Sequence, residues 1–317
     1  MKAFAALCLA LACAAAYGQE AYPSKNVRLV AAAAPGGNPD VLARLLAAKL
    51  ADAFGRPFVV ENLPGAGGVV AAEQVARAPA DGHTLMLGDS GALAINVALN
   101  PKLSYQPLKD FTLITALASV PTVLVVNPKV SANSLEEFVS LGKSSQLAYG
   151  SAGNGSVHHL TMAVFLARAG VDMLHVPYKG GTALVGAVLG GEVQSGWSGI
   201  PNVAAHIRAG KLRVLCISTA RRSASLPEVP TAIELGYPGF DIATTIGLQA
   251  PAGLPRDIAA RLQAAVAKAL RERDLAERMA NLGMELAENG TEHYVRFVRE
   301  DMERFAAAVK AAGIKHE

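Results

Sequence analysis

The chain has 317 residues, of which 51% are hydrophobic and 17% are charged, and 29 basic against 26 acidic residues give a formal net charge of +3. This length allows a sizeable core and roughly two domains at about 150 residues per domain. Because the chain has no basic run and no interleaved aromatic residues, its composition excludes an extended nucleic-acid surface.

The N-terminus has the pattern of a secretory signal peptide. Met1-Lys2 is followed by an apolar run over residues 3–16 and then by Ala16-Tyr17-Gly18, which supplies the small residues of a cleavage site. We expect export, with cleavage after Gly18. The alternatives are a core helix and a lipoprotein anchored through Cys13. No later stretch offers the roughly 20 apolar residues that a membrane span requires.

The cysteines exclude an internal disulfide in the exported protein. Cys8 and Cys13 leave with the signal, so the mature chain keeps Cys216 alone. Cys216 lies in a strand-like apolar run, and we expect a buried, inert thiol there.

The mature chain begins with alternating strands and helices. The apolar run over residues 26–33 predicts a buried strand, and helical spacing over 41–54 predicts the first helix. We expect Asn38 to cap this helix, Pro39 to take its first position and Gly55 to end it. Two further strands, over 58–61 and 84–87, and a helix over 69–77 complete a βαβαβ unit. Such alternation predicts a mainly parallel sheet, with ligands at the carboxyl ends of its strands.

A long apolar run from Thr112 to Val126, interrupted only by Pro121, predicts a strand that leaves one domain and enters another. A second α/β unit follows, with a capping box at Ser134 opening its first helix. Its other predicted elements are strands over 147–150, 173–176, 193–197 and 212–218 and helices over 157–169, 182–189 and 203–209. The chain is expected to cross back near 242–250.

The rest of the chain, from Pro255, is predicted to be helical. An apolar stripe from Tyr294 to Val309 behind a cap at Thr291 predicts a helix docked on the core. We therefore expect a signal peptide and two interleaved domains. The boundaries are 1–18 for the signal, 19–123 with 247–317 for the first domain, and 124–246 for the second.

Enzyme motifs are weak in this sequence. Gly88-Asp89-Ser90-Gly91 and Ala204-Ala205-His206 resemble protease segments, but their order is reversed and the pattern is α/β. The chain has no nucleophile elbow, Walker loop or dinucleotide fingerprint. Neighbours such as His158-His159 point about 100° apart on a helix, so we expect no metal site and no cofactor. An exported hydrolase that uses Asp89, Ser90 or a histidine is the alternative.

Four glycine-rich turns stand between a predicted strand and a helix N-terminus. Each can present unpaired backbone N–H groups to a carboxylate, although the glycines could serve only the turn. The turn at 151–156 adds the hydroxyls of Ser151 and Ser156 and the amide of Asn154. The other turns cover 35–38, 64–68 and 178–181.

Eight segments carry a family resemblance, in order, over nearly the whole mature chain. They are Ala34 to Arg44, Val60 to Gly68, Ala80 to Leu85, Lys109 to Phe111, Gly150 to Ser156, His175 to Gly181, Pro227 to Thr231 and Ala250 to Pro255. Together they resemble the Bug family, the extracytoplasmic solute-binding proteins of tripartite tricarboxylate transporters.

The resemblance implies an α/β fold of two domains, a type II-like Venus flytrap with mainly parallel sheets flanked by helices and two crossover strands. It further implies a monomeric, noncatalytic periplasmic protein without a cofactor. Such a protein captures a small carboxylate by hinge closure and delivers it to a membrane permease. A receptor that presents its ligand to a membrane sensor is the alternative.

The resemblance also implies where the ligand lies. Its carboxylate is expected on the 35–37 and 151–156 loops, near Tyr178-Lys179. Where many members have Phe-Asp, this chain has Trp197-Ser198, so a partner for a ligand ammonium is missing and we expect a non-amino mono-, di- or aromatic carboxylic acid. The two expectations for Trp197 are a stacking wall for an aromatic acid and a place in the core. A second departure, Thr245-Ile246, replaces Trp-Phe.

The complete set of expected ligand-binding residues combines these loops with the departures and the loop after the third strand. It comprises Pro35, Gly36, Gly37, Asp40, Ser90, Ser151, Asn154, Gly155, Ser156, His159, Tyr178, Lys179, Trp197, Ser198 and Thr245.

Overall fold

A computed structural model of the protein describes residues 22–311, so the expected signal peptide at 1–18 lies outside the described residues. The strands are β1 (Val27–Ala31), β2 (Phe58–Asn62), β3 (Thr84–Asp89), β4 (Phe111–Val126), β5 (Ala148–Ser151), β6 (Leu174–Pro177), β7 (Ser195–Gly199), β8 (Arg213–Ile217), β9 (Ala243–Pro251) and β10 (Glu285–Leu286). The predicted strands are therefore present, most with ends shifted by one or two residues.

Helices separate most of these strands. The α-helices are α1 (Asn38–Phe54), α2 (Val69–Ala76), α3 (Asn96–Leu99), α4 (Pro107–Asp110), α5 (Leu135–Ser144), α6 (Val157–Ala169), α7 (Gly181–Gly190), α8 (Ile200–Arg208), α9 (Arg256–Arg271), α10 (Arg273–Asn281) and α11 (Thr291–Ala311). A 3-10 turn (Ala66–Gly68) precedes α2, and a π-helical turn (Gly91–Ile95) precedes α3. Within residues 22–311, none of the helices combines the length and the apolar character needed to cross a membrane.

The strands lie in the order β2-β1-β3-β9-β4-β7-β5-β6, with β8 and β10 also paired to β4. The long strand β4 pairs with β9 over residues 111–121 and with β7 and β8 over 122–126. We call β1, β2, β3, β9 and β10 with their helices the first half, and β5 to β8 with theirs the second half. The expected two-domain α/β architecture is confirmed, with β4 as the strand shared between the halves.

Parallel pairing between the named strands occurs in the two βα units. There β1 pairs with β2 and β3, and β5 pairs with β6 and β7, because a helix returns the chain to the same edge between these strands. The strands β4 and β9 run antiparallel to each other and to their other partners. The complete sheet is therefore mixed.

Local signals explain where the helices begin and end. Gly55 ends α1 in the left-handed conformation, with φ 68°, and its N–H bonds to the Ala51 carbonyl, as expected. The Ser134 side chain accepts a hydrogen bond from the Glu137 N–H, which confirms the predicted cap of α5. The expectation at Asn38 is wrong: Gly37 is the N-cap, and Asn38 is the first helical residue.

Helix α11 packs against both halves. Tyr294 and Val298 lie in the core of the first half, whereas Phe305 and Val309 lie in the core of the second. The predicted docked stripe is therefore confirmed. Cys216 is also fully buried, and burial raises the pKa of its thiol, so the thiolate is disfavoured.

Candidate functional site

A cavity of about 380 Å³ lies between the two halves. Both halves contribute to its wall, together with the first residues of the return strand β9. Its lining residues are Ala32, Ala33, Ala34, Gly37, Asn38, Pro39, Pro64, Gly65, Ala66, Gly67, Gly68, Asp89, Ala152, Gly153, Ser156, Val157, His158, Tyr178, Lys179, Gly180, Gly181, Asn202 and Thr244. This volume suits a small organic ligand.

Helices α1, α2, α6 and α7 begin at the cavity wall. The N-caps Gly37 of α1 and Gly180 of α7 make no side-chain capping bond, so a ligand can take the N–H groups of the first turn. On α6, the Ser156 Oγ accepts from the His159 N–H at 3.2 Å and donates to the Gly153 carbonyl at 2.7 Å. Helix N-termini carry partial positive charge, and this arrangement suits a carboxylate.

Direct hydrogen bonds join the two halves beside the cavity. The Thr182 hydroxyl of α7 donates to the Pro35 carbonyl at 3.2 Å. The Asn96 side-chain amide of α3 donates to the Gly155 carbonyl at 3.1 Å and to the Gly91 carbonyl at 2.8 Å. The glycine turns therefore serve the contact between the halves as well as the ends of the helices.

Several cavity-lining polar atoms are buried without a hydrogen-bond partner among the described residues. These atoms are the Asn38 Oδ1, both ring nitrogens of His158 and the Thr244 Oγ1. Buried polar groups are normally satisfied, so these atoms need a partner that the described residues do not supply. Sequence reasoning missed them: Asn38 was taken for a cap, His158 for one of a histidine pair, and Thr244 for part of a crossover strand.

Asp89 also lines the cavity, at the end of β3. Its Oδ1 accepts a hydrogen bond from the Gly91 N–H at 2.9 Å. Burial raises the pKa of the Asp89 carboxyl to about 6, against the opposing effect of the Gly91 and Ala92 N–H groups. The sequence offered Asp89 only as part of a protease-like segment.

Burial holds His158 in its neutral form and lowers the pKa of its imidazole to about 4. Because the unfolded chain has the ordinary pKa of about 6.5, it binds the proton first as the pH falls. The stability contributed by neutral His158 should therefore be present above about pH 6.5 and lost towards pH 4.

We expect His158→Gln to weaken this acid dependence in urea unfolding at several pH values. Replacing His206 with glutamine controls for the loss of a histidine, and an unchanged pH profile in His158→Gln would contradict the assignment.

Four of the expected ligand-binding residues line the cavity: Gly37, Ser156, Tyr178 and Lys179. Pro35 and Gly36 stand next to Gly37 in the loop over residues 35–37, which we call the first loop. There the Gly36 N–H donates to the Asp40 Oδ2 at 2.8 Å. Asn154 and Gly155 belong to the loop over residues 151–156, which we call the α6 loop, but neither is among the lining residues.

Asp40 lies behind the first loop and is only 2% exposed. Its Oδ1 accepts from Asn62 at 2.8 Å and pairs with Arg44 at 2.9 Å. Although burial opposes ionisation, these partners and the Gly36 N–H hold the pKa of Asp40 below its usual range. Asp40 therefore orders the loop from behind instead of lining the cavity.

Ser151 and His159 also lie behind the wall. The Ser151 Oγ is 2.7 Å from the His175 Nε2, and the His159 ring stacks on His175 at 4.1 Å between centroids. Burial lowers the pKa of His175 to about 4, which favours a neutral stack. The hydroxyl expected to reach the ligand from Ser151 is used inside the second half.

Trp197 and Ser198 belong to the core. Trp197 is fully buried, 5.5 Å from Phe240 and 6.1 Å from Phe165 between ring centroids. The Ser198 side chain is fully buried as well. No residue of β7 is among the lining residues, and the Trp197 ring packs in the core of the second half.

Ser90 and Thr245 meet away from the cavity. The Ser90 Oγ donates to the Asp301 Oδ2 at 3.0 Å and accepts from the Thr245 N–H at 3.2 Å. Ser90 is 3% exposed, and both residues border a small second cavity next to α11. These contacts connect β3, β9 and α11. Among residues 22–311, no group of three or more histidine, cysteine or acidic side chains could hold a metal ion.

The sequence of the chain is similar to those of known proteins. Residues 42–314 match the family described as "Tripartite tricarboxylate transporter family receptor". The chain is 35% identical over 305 residues to protein BugT from Bordetella pertussis, covering 95% of this chain and 94% of that protein.

Solved structures agree with the sequence comparison. A protein from R. palustris with adipate has a TM-score of 0.90 at 32% identity, covering 93% of this chain and 99% of that one. MatC from Rhodopseudomonas palustris with bound malate has a TM-score of 0.86 at 35% identity, covering 91% and 100%.

Proposed function

The chain belongs to the tripartite tricarboxylate transporter receptor family, and from this membership we propose that it captures a small carboxylic acid and delivers it to the membrane subunits of a transporter. The observation that carries the proposal is the cavity at which α1, α6 and α7 begin, lined by residues of both halves. Relatives with adipate and malate bound support a non-amino carboxylic acid as the ligand class.

We propose that the halves open and close about the shared strands. The moving units would be the first half and the second half. This division is supported by the change of partners in β4 between Pro121, which pairs with Ala243, and Thr122, which pairs with Gly199. Strand β4 and the chain that enters β9 are short connections between the packed halves, at which a hinge can bend.

We propose that the protein works as a monomer in the periplasm after removal of residues 1–18. Periplasmic binding proteins among its structural relatives support this location. Cell fractionation followed by mass spectrometry of the mature N-terminus tests it. A full-length chain that stays in the cytoplasm would contradict it.

The Ser156 hydroxyl tests the assignment of the α6 loop. We expect Ser156→Ala to weaken binding of malate or adipate about 10-fold, because the loop that presents the first N–H groups of α6 loses two hydrogen bonds. The matched control is Ser134→Ala, which removes a similar cap at 3.1 Å from a helix whose residues do not line the cavity. Titration calorimetry measures both. If the two variants lose affinity equally, the loop does not hold the ligand.

Binding without turnover separates this proposal from an exported hydrolase. The serine of that alternative, Ser90, is buried, and its hydroxyl is engaged by Asp301 and Thr245. Mass spectrometry of a ligand that stays bound through purification would identify the acid. Recovery of the same acid unchanged after long incubation supports a receptor, whereas its conversion would support an enzyme.

A further inference from the structure

Two segments of the first half extend into the core of the second half. The π-helical turn and α3 contribute Ala94 and Leu99 to the buried cluster that also holds Trp197. Phe305, in the last third of α11, belongs to the same cluster, whereas Tyr294, near the start of α11, packs in the first half. The halves can therefore turn only if the chain also bends where these two segments enter the second half.

Buried hydrogen bonds connect the points at which these segments enter. The Ser90 Oγ, just before the π-helical turn, donates to the Asp301 Oδ2 at 3.0 Å and accepts from the Thr245 N–H of β9 at 3.2 Å. The Asp301 Oδ1 pairs with Arg304 at 2.6 Å, and Arg304 donates to the Asp241 carbonyl at 2.9 Å, just before β9. Asp301 thus joins three segments that pass between the halves.

A second group of buried hydrogen bonds holds β4, the remaining segment that passes between the halves. Thr122, where β4 begins to pair with β7, donates its N–H to the Ser218 Oγ at 3.2 Å, and its hydroxyl oxygen lies 2.8 Å from the same atom. The Ser218 hydroxyl donates to the Ile242 carbonyl at 2.5 Å, just before β9. We give the name hinge cluster to four side chains that are at most 4% exposed: Ser90, Thr122, Ser218 and Asp301.

We propose that the hinge cluster is the pivot about which the halves turn, and that Asp301 is a positioning residue that holds the segments together there. Burying a charge costs free energy, so Asp301 with its Arg304 partner suits a device that fixes one arrangement better than one that only adds stability. Displacements are smallest at a pivot, so its hydrogen bonds persist, whereas the bond from Thr182 to Pro35 breaks on opening. The inference rests on the proposed opening and closing and names what guides it.

The spread of distances between the halves tests the inference. Spin labels on Asp52→Cys of α1 and Lys143→Cys of α5, two exposed positions, report this distance, and Cys216 stays unlabelled because it is buried. In the whole mature protein without added acid, we expect Asp301→Asn to widen the distance distribution at least about 2-fold, because the charged pair with Arg304 is lost.

Matched variants separate a pivot from a general loss of packing. Glu300→Gln removes the same charge from the next, exposed residue of α11 and should keep the wild-type distribution. If Asp301→Asn does not fold, Ser90→Ala takes its place, because it also breaks the bonds to Asp301 and Thr245. Its control is Ser195→Ala, a buried serine of β7 whose hydroxyl has no hydrogen-bond partner among residues 22–311. A wild-type width in Asp301→Asn, or equal widening in the control, would overturn the inference.

Hydrogen exchange with and without malate or adipate separates a pivot from a contact that breaks on opening. The Thr245 amide should exchange at rates within about 2-fold of each other, whereas amides of the α6 loop, which meets the first half at Asn96, should slow at least about 10-fold with the acid. A 10-fold change at Thr245 would mean that the hinge cluster is no pivot, on the same scale of about 10-fold. If neither acid slows exchange anywhere, carboxylate capture fails, and the label distances still decide on the pivot.

Discussion

Replacing Gly155 with alanine is expected to weaken binding of malate or adipate at least about 100-fold, or about 2.7 kcal/mol. Gly155 lies where the α6 loop touches the first half, and an added Cβ would collide with the side-chain oxygen of Asn96 and stand 2.9 Å from its Cγ. The Asn96 amide already donates to the Gly155 carbonyl. The methyl group therefore separates the halves at the contact that encloses the cavity.

Gly170→Ala is the matched control for this prediction. Gly170 ends α6 with φ 62°, close to the 69° of Gly155, but nothing lies within 4 Å of an added Cβ. Both variants bear the cost of a left-handed alanine, about 1–2 kcal/mol, so only contact between the halves distinguishes them. Calorimetry measures affinity, and small-angle scattering with ligand measures closure. Equal affinity in the two variants would mean that the halves close without this contact.

Trp197→Ala is expected to lower the free energy of unfolding by about 3–5 kcal/mol, which is the usual cost of removing a large buried aromatic side chain. The Trp197 ring is fully buried between Phe165 and Phe240, so its removal leaves a cavity in the core of the second half. Urea unfolding followed by circular dichroism measures the loss, since the chain has 1 tryptophan and the variant has none.

The milder variant Trp197→Phe keeps the test usable if the alanine variant does not fold. It fills part of the space and removes an indole N–H that has no partner among the described residues. We expect it to be more stable than Trp197→Ala and to bind malate or adipate with wild-type affinity. A stable variant that has lost affinity would show that Trp197 acts on the ligand, as the resemblance implied, and not through the core.

Much of the fold could be predicted from the sequence, because its signals are local. Apolar runs marked the strands, helical spacing marked α1, and the capping box at Ser134 and the glycine at 55 marked helix ends. The double role of β4 was also predictable, since an apolar run of 15 or more residues is too long for one ordinary strand.

The site was only partly predictable. Backbone N–H groups at helix starts leave a signal in glycine-rich turns, and Gly37 and Ser156 were found in this way. His158, Asp89 and Thr244 were not assigned to the ligand, because nothing in their sequence neighbourhood distinguishes a cavity wall from an ordinary helix, loop or strand. The direction in which each side chain points depends on elements far away along the chain.

The sequence by itself determined the α/β alternation, the family and the helix starts that suit a carboxylate, because each follows from the order of residues along the chain. Only the tertiary structure decided which polar atoms share the cavity. It placed Trp197 in the core and Ser151 against His175, and it brought Asp89 of the first half into one cavity with His158 of the second. Those choices depend on how the two halves pack, and packing joins residues that sequence spacing keeps apart.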